Sequence, residues 1–383
     1  MENSKKNNIN NIIKPFLDLN LFFLVITIIF FGLLALTSAS IEFSAKKFEG
    51  ASFYLLLRQL AYLVFSIIVC AIFININSES LKKNHKVFFL FFLFLLLLVY
   101  LVGTTVGGST RWLRFGFLNM QPSEFYKLFY IVWLCAYIDI NKKRIRDIKI
   151  FFIPFIWFSI GAILLLSQPD FGTIFILFLM TILMLFIAKA KFIHLFLVGT
   201  IGTLSAALII YLHPYMQKRL AFFDPCQNAT QEGYQLCYSL MAIGSGSIFG
   251  KGLGASTSKL HFLPEVHTDF IFAVIGEELG IFGILFLIFL FYLLYKKCFL
   301  LGDKALRVNL NFQGMLAYAI GLYLIIQVLL NLSVNLGLVP TKGMALPFFS
   351  YGGSNYLASL LAITIIFRIY RDVYKKTMNS SIR

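Results

Sequence analysis

GSGSIFGKGLGASTSKLHFLPEVHTDFIFAVIGEELG, residues Gly244–Gly280, decides how the rest of the chain is read. It opens glycine-rich and polar, passes through Pro264, and sets Glu265, His267 and Asp269 directly before a long apolar run, Phe270–Tyr295. Glu277 and Glu278 lie inside that run. Carboxylates at and just beneath a bilayer boundary are costly in lipid, so such side chains face protein or water and serve a function. The stretch reads as the mouth of an active site opening out of a membrane.

The membrane setting follows from the composition around it. The chain has 383 residues, of which 59% are hydrophobic and 13% charged. A soluble domain cannot bury that much apolar surface. Apolar runs read as spans near Leu19–Thr37, Leu60–Phe73, Val87–Leu101, Ser123–Ile140, Phe151–Leu166, Phe171–Ala188, Phe192–Leu212, Phe270–Tyr295, Met315–Leu336 and Pro347–Tyr370. The first is longer than a signal-peptide core and reads as an uncleaved helix.

Charge tests that count. With the N-terminus inside, alternate segments carry 22 basic residues, among them Lys82, Lys83, the Lys142–Lys149 cluster, Lys189, Lys191, Lys296 and Arg371. The opposite segments carry nine, and Arg58 and Lys127 fall within or beside spans. This is the positive-inside bias. It also accounts for the net charge of +16 without nucleic acid, because most of the cations face an anionic inner leaflet. The expected fold is an all-α polytopic membrane protein with ten transmembrane helices, both termini cytoplasmic, and a large extracytoplasmic loop between the seventh and eighth. Its expected parts are a cytoplasmic tail at 1–15, a membrane domain at 16–371 containing the outer loop 213–269, and a cytoplasmic tail at 372–383.

The five cysteines show no metal-type pairing. Cys226 and Cys237 share the large loop, and on an oxidising side they form either a disulfide or two thiols; the spacing leaves both open. Glu124 and Lys127, three apart at the start of a span, share a helix face, as a bundle-holding ion pair or as substrate contacts. Asp269 fits either the N-cap of the following helix or a general base. If helix begins after Pro264, Glu265 shares its face and can raise its proton affinity or help bind a divalent cation. On the same helical reading Glu277 lies nearer the Asp269 side than Glu278 does, as a network residue, with Glu278 paired to another helix, for instance through Arg58. His267 reads as a hydrogen-bonding loop residue, since no second His or Cys stands at metal-ligand spacing. Gly250-Lys251-Gly252 resembles a phosphate loop but lacks its full spacing, so no nucleotide site follows.

Five segments occur in order: GGSTRWLRFG–FLNMQPSEFYKL (Gly107–Leu128), SQPDFGT (Ser167–Thr173), GYQLCYSLMAIGSGSIFGKGLG (Gly233–Gly254), LPEVHTDFIFAVIGEELG (Leu263–Gly280) and NLGLVPTKGMALPFFSYGGS (Asn335–Ser354). Together they resemble the SEDS family (shape, elongation, division and sporulation) of bacterial peptidoglycan glycosyltransferases. Pro340-Thr341-Lys342-Gly343 and Gly252-Leu253-Gly254 are more similar to its division member than to its elongation member. Cys237-Tyr238, Ser247 and Asn355 depart from the usual pattern.

The resemblance implies polymerisation of lipid II on the outer face of the cytoplasmic membrane, at the division septum. The family's essential outer-loop aspartate falls on Asp269, which becomes the expected catalytic base. Arg111, Arg114, Arg219, Lys251 and Lys342 are the expected cations for the leaving pyrophosphate. Trp112, Glu265 and His267 complete the expected substrate contacts. Glu124, Lys127, Glu277 and Glu278 are expected as network residues. A divalent cation, magnesium or manganese, is admitted without an assigned ligand set. The implied partners are lipid II, a class B penicillin-binding protein transpeptidase and other division proteins. A lipid II flippase and a non-catalytic scaffold stand as alternatives.

Overall fold

The computed structural model describes residues 18–106, 109–115, 118–212, 225–226, 233–259, 266–340 and 343–381. Among these, the elements are α1 (Leu19–Lys47), α2 (Tyr54–Phe73), α3 (Ser78–Lys83), α4 (His85–Val102), β1 (Thr104–Val106), β2 (Ser109–Phe115), β3 (Leu118–Met120), α5 (Pro122–Ile140), α6 (Ile148–Ser167), α7 (Phe171–Ile187), α8 (Phe192–Leu212), α9 (Tyr234–Ser245), α10 (Ile271–Arg307), α11 (Asn311–Asn335) and α12 (Gly353–Ser381). By length and composition, α1, α2, α4, α6, α10 and α11 can each cross a membrane.

Local chemistry sets the helix ends. The Asp18 carboxylate caps α1 by accepting from the amides of Asn20 and Leu21 at 3.0 and 3.2 Å, and Lys46 and Lys47 sit at its negative end. Pro122 opens α5 in a position where its missing N–H costs nothing. Every α5 residue from Pro122 to Ala136 is buried, so α5 is the central column. It packs against α4, α11 and α12. In α2, by contrast, only Leu55, Gln59 and Ser66 are buried, and Leu57, Val64, Ile68 and Ile72 face outward. Such a wholly apolar outer face suits lipid.

The described residues are mostly helical, as expected, with one addition. A small antiparallel sheet stands beside the helices in the order β1-β2-β3, with Thr104 opposite Trp112 and Leu113 opposite Met120. The three strands thus pair their backbone groups with one another. The large loop contains a helix of its own, α9. Helix α12 runs without a break to Ser381, past the point where the C-terminal tail is expected to begin.

The run from Phe270 to Tyr295 is not one regular helix. At Gly280 the backbone turns to φ 64°, ψ −158°. The break separates the Glu277 carbonyl from the Ile281 amide and the Glu278 carbonyl from the Phe282 amide. The segment Ser247–Gly252 inserts between these pairs. The amides of Lys251 and Gly252 donate to the carbonyls of Glu277 and Glu278, both at 3.0 Å, while the carbonyls of Ser247 and Ile248 accept from Ile281 and Phe282 at 3.1 and 3.4 Å. Irregular backbone is tolerated in a membrane protein only where other groups satisfy it in this way. The approach demands glycine: a Cβ at Gly250 would lie 2.1 Å from the Glu278 carbonyl oxygen, and one at Gly280 would lie 2.5 Å from the Gly250 nitrogen.

Candidate active site

The turn Val266–Asp269 precedes α10, and its backbone is held at three successive carbonyls. The His267 carbonyl accepts from the Tyr351 amide at 2.8 Å. That of Thr268 accepts from the Ser350 hydroxyl at 2.5 Å. The Asp269 carbonyl accepts from the side-chain amides of Asn331 and Asn335, each at 3.1 Å. Asn331 also donates to the Met344 carbonyl, and the Leu346 amide donates to the Ser350 hydroxyl at 2.7 Å. Two helical asparagines and the segment Gly343–Tyr351 therefore immobilise the backbone that carries Asp269. The residue itself is only partly buried. Its carboxylate lies close to Gly343, where an added Cβ would come within 2.8 Å of Oδ2.

Two readings of this turn are corrected. Phe270, not Asp269, occupies the N-cap of α10, and no side chain caps that helix. Because the helix starts at Ile271, Asp269 has no helical-face relation to Glu277; Glu265 lies outside the described residues. His267 is buried. Its ring packs between Phe43 and Tyr351, with centroids at 4.5 and 5.9 Å.

Beneath the turn, Glu277 and Glu278 hold the glycine-rich loop by its side chains as well as its backbone. Glu277 accepts from Lys251 at 2.8 Å, from the Thr257 hydroxyl and amide at 2.9 and 3.1 Å, from the Ser256 hydroxyl at 2.6 Å, and from the Ser258 hydroxyl. Glu278 accepts from the Ser38 hydroxyl of α1 at 2.6 Å and from Lys259 at 3.0 Å. Its partner is thus Lys259 and not Arg58, which donates to the Tyr62 hydroxyl at 3.0 Å. Buried charges persist when their lone pairs are filled in this manner. A cavity of 220 Å³ adjoins the network, lined by Lys251, Thr257, Ser258, Glu277 and, from α9, Tyr238 and Met241. Cys226 and Cys237 are joined in a disulfide, Cα to Cα 5.0 Å, which ties the first turn of α9 to the preceding loop.

The other candidates are dispersed around the same end of the bundle. Arg111 on β2 donates to the carbonyls of Gln168 and Pro169, at 2.9 and 2.5 Å, and so ties the sheet to the turn before α7. Asp170 in that turn caps α7 through the Thr173 amide and hydroxyl at 3.3 and 2.8 Å. Trp112 is partly buried and Arg114 exposed on the same strand. Ser354 accepts from the Gln121 amide at 2.9 Å, fastening the sheet's far end to α12. Lys127 and Glu124 form a buried ion pair at 2.9 Å, and the ammonium lies 5.8 Å from the Tyr323 ring centre. Arg219 and Lys342 lie outside the described residues. Among the described residues no group of three His, Cys, Asp or Glu side chains is arranged to hold a metal ion.

The sequence pattern did not single out Asn331 and Asn335. A signal was present: two amides four residues apart share one face of a largely apolar helix, and amides buried in a membrane helix need partners.

Fold and site together define a polytopic helical membrane protein with a partly buried carboxylate on a rigid turn beside a broken helix. The family described as cell cycle protein, FtsW/RodA/SpoVE, matches residues 18–375. The chain belongs to that family. It is 38% identical over 354 residues to the probable peptidoglycan glycosyltransferase FtsW of Shewanella sediminis, covering 92% of this chain and 86% of the relative. It is 40% identical to the protein of the same name from Thioalkalivibrio sulfidiphilus, covering 93% and 90%. Among solved structures it resembles a chain of a peptidoglycan synthase complex that coordinates polymerization and crosslinking, with a TM-score of 0.77 and 27% identity over 94% of this chain and 99% of that one. It also resembles the rod shape determining protein RodA of Thermus thermophilus, with a TM-score of 0.70 and 26% identity over 94% and 98%.

Proposed function

We propose that this chain is a peptidoglycan glycosyltransferase that polymerises lipid II into β-1,4-linked strands on the outer face of the bacterial cytoplasmic membrane, for septal wall synthesis. Asp269 is the general base. It takes the proton from the acceptor's 4-hydroxyl as that oxygen bonds to the donor's anomeric carbon, and the undecaprenyl pyrophosphate leaves with the electron pair of the broken bond. An alcohol is a weak nucleophile at neutral pH, so a positioned base is required.

The observation that carries this reading is the contrast at Asp269. Its backbone carbonyl is held by two buried amides, whereas its side chain keeps partial exposure beside Gly343. A fixed backbone with a partly exposed carboxylate suits a catalytic group held in a reactive position. Arg111, Arg114, Arg219, Lys251 and Lys342 belong to the proposal as outer-face cations for the pyrophosphate, with Trp112, Glu265 and His267 lining the substrate site.

The proposal includes ten spans with both termini cytoplasmic, the outer loop 213–269 inside a membrane domain spanning 16–371, and tails at 1–15 and 372–383. It also includes a transpeptidase partner of the penicillin-binding class. Since Glu277 and Glu278 are committed to protein donors, a magnesium or manganese ion would draw on Asp269 and the substrate diphosphate. Chelation followed by re-addition of either ion tests that point.

The decisive experiment supplies purified chain with lipid II. Wild type should yield long glycan strands and Asp269→Asn none, with the variant folded. Transbilayer movement of lipid II without polymer would favour a flippase. Normal growth of cells carrying only Asp269→Asn would favour a scaffold.

A further inference from the structure

At the opposite end of the bundle from Asp269, the turn after α5 meets the turn before α8. The Arg146 guanidinium donates to the Lys189 carbonyl at 3.4 Å. Between these turns lies a cavity of 460 Å³ lined by Arg144, Arg146, Asp147, Lys149, Lys191 and His194. Its volume falls within the range of ligand pockets, roughly 300–1,000 Å³. Four cations surround it against a single carboxylate, and that carboxylate is already taken by Arg144 at 3.2 Å. His194 packs on Phe151 at 5.1 Å and leaves its Nδ1 buried with no hydrogen-bond partner.

A solvated basic loop explains charge but not a concavity shared by cations from two separate turns. The surroundings indicate which anion fits. Ile148, Phe192 and Ile193 beside the cations are 52%, 72% and 65% exposed, so apolar surface continues directly from the charged rim. A free anion has no use for such surface; a lipid has an acyl chain to lay on it. Basic pockets between helices on the cytoplasmic side are a known setting for anionic headgroups.

We infer that this cavity binds the phosphate headgroup of an anionic phospholipid of the inner leaflet, with Arg146, Lys149 and Lys191 holding the phosphate and Phe192 and Ile193 against the acyl chains. The inference depends on the proposed cytoplasmic placement of these turns and not on the catalytic role of Asp269.

Native mass spectrometry of the full chain in detergent, titrated with phosphatidylglycerol, tests it. Wild type should bind phosphatidylglycerol in preference to phosphatidylcholine. Arg146→Gln/Lys149→Gln/Lys191→Gln should bind it about 100-fold more weakly, because three cations at a membrane surface are neutralised. Lys149→Arg/Lys191→Arg should bind as wild type. Should the triple variant unfold, Lys191→Gln alone, on an exposed turn, should still weaken binding about fivefold. Equal affinity for the two lipids, or a glutamine variant that binds like wild type, would overturn the assignment. So would displacement of the lipid by equimolar inorganic phosphate, which would mark a soluble anion as the ligand.

Discussion

The side-chain amide of Asn335 lies 3.1 Å from the Asp269 carbonyl oxygen, at the same distance as that of Asn331 one helical turn earlier. Asn331 reaches further and holds the Met344 carbonyl as well. One side chain on α11 therefore joins the turn that carries the proposed base to the segment that flanks its carboxylate.

Asn331→Leu should lower polymerisation of lipid II by about tenfold to 100-fold, because the buried Met344 carbonyl loses its donor at about 1–3 kcal/mol, the Asp269 carbonyl keeps only Asn335, and the turn is freed to shift. Asn335→Leu, with Asn331 still holding Asp269, should cost less. Strand length and rate on lipid II, compared with thermal unfolding of the same samples, separate lost positioning from lost folding. Equal rates in both variants and wild type would show that the two amides do not position the base.

Glu277 and Lys251 should be unequal partners. Glu277→Ala removes the shared acceptor of a cluster of hydroxyl and amide donors, and leaving the buried ones unsatisfied should cost about 3 kcal/mol or more. Lys251→Ala leaves Glu277 with those same hydroxyl and amide donors. Lys251 is also one-third exposed, so its loss should cost about 1 kcal/mol or less. Thermal melts of both variants measure the difference.

Three glycines of the stretch Gly244–Gly280 should respond differently to alanine. At Gly280 and Gly250 an added Cβ meets backbone at 2.5 and 2.1 Å, so each substitution should expel the loop from the helix break and cost several kcal/mol, of order 3 or more. Gly252 has φ 102° but nothing within 4 Å of its Cβ, and Gly252→Ala should cost only the backbone penalty, about 1–2 kcal/mol. Similar unfolding temperatures for the three variants would contradict the insertion of Ser247–Gly252 into α10.

Reduction of the Cys226–Cys237 bridge should lower stability by about 3 kcal/mol, from the chain entropy of a short closed loop. Cys226→Ser/Cys237→Ser should unfold at the same temperature as reduced wild type and show no further change with reductant. A shift on reduction of the double variant would trace the effect to another thiol.

Much of the site was legible as motifs and little of it as geometry. Asp269 stood out because a carboxylate abuts an apolar run, and Glu277 and Glu278 because acids inside such a run demand partners. The identity of those partners was not legible. Lys259 is nineteen positions from Glu278, and Ser38 is 240 away. The sheet at Thr104–Met120 escaped because its short strands alternate too briefly to show a period. The break in α10 escaped because glycine inside an apolar helix is common in membrane proteins, and only the approach of Gly250 shows that this one is bent.

Composition, charge asymmetry and motif order were sufficient for the membrane class and the family, since both rest on quantities summed along the chain: apolar run length, basic residues per segment, and residue types in order. Which groups touch was decided by packing alone. The Asp269 turn is held by carbonyl-to-amide bonds across more than sixty positions of sequence, and backbone carbonyls are chemically the same at every residue. No pattern of side-chain types can announce which carbonyl a distant asparagine will meet; that follows only once α10, α11 and the Gly343–Tyr351 segment are brought together and every buried polar group must find a partner.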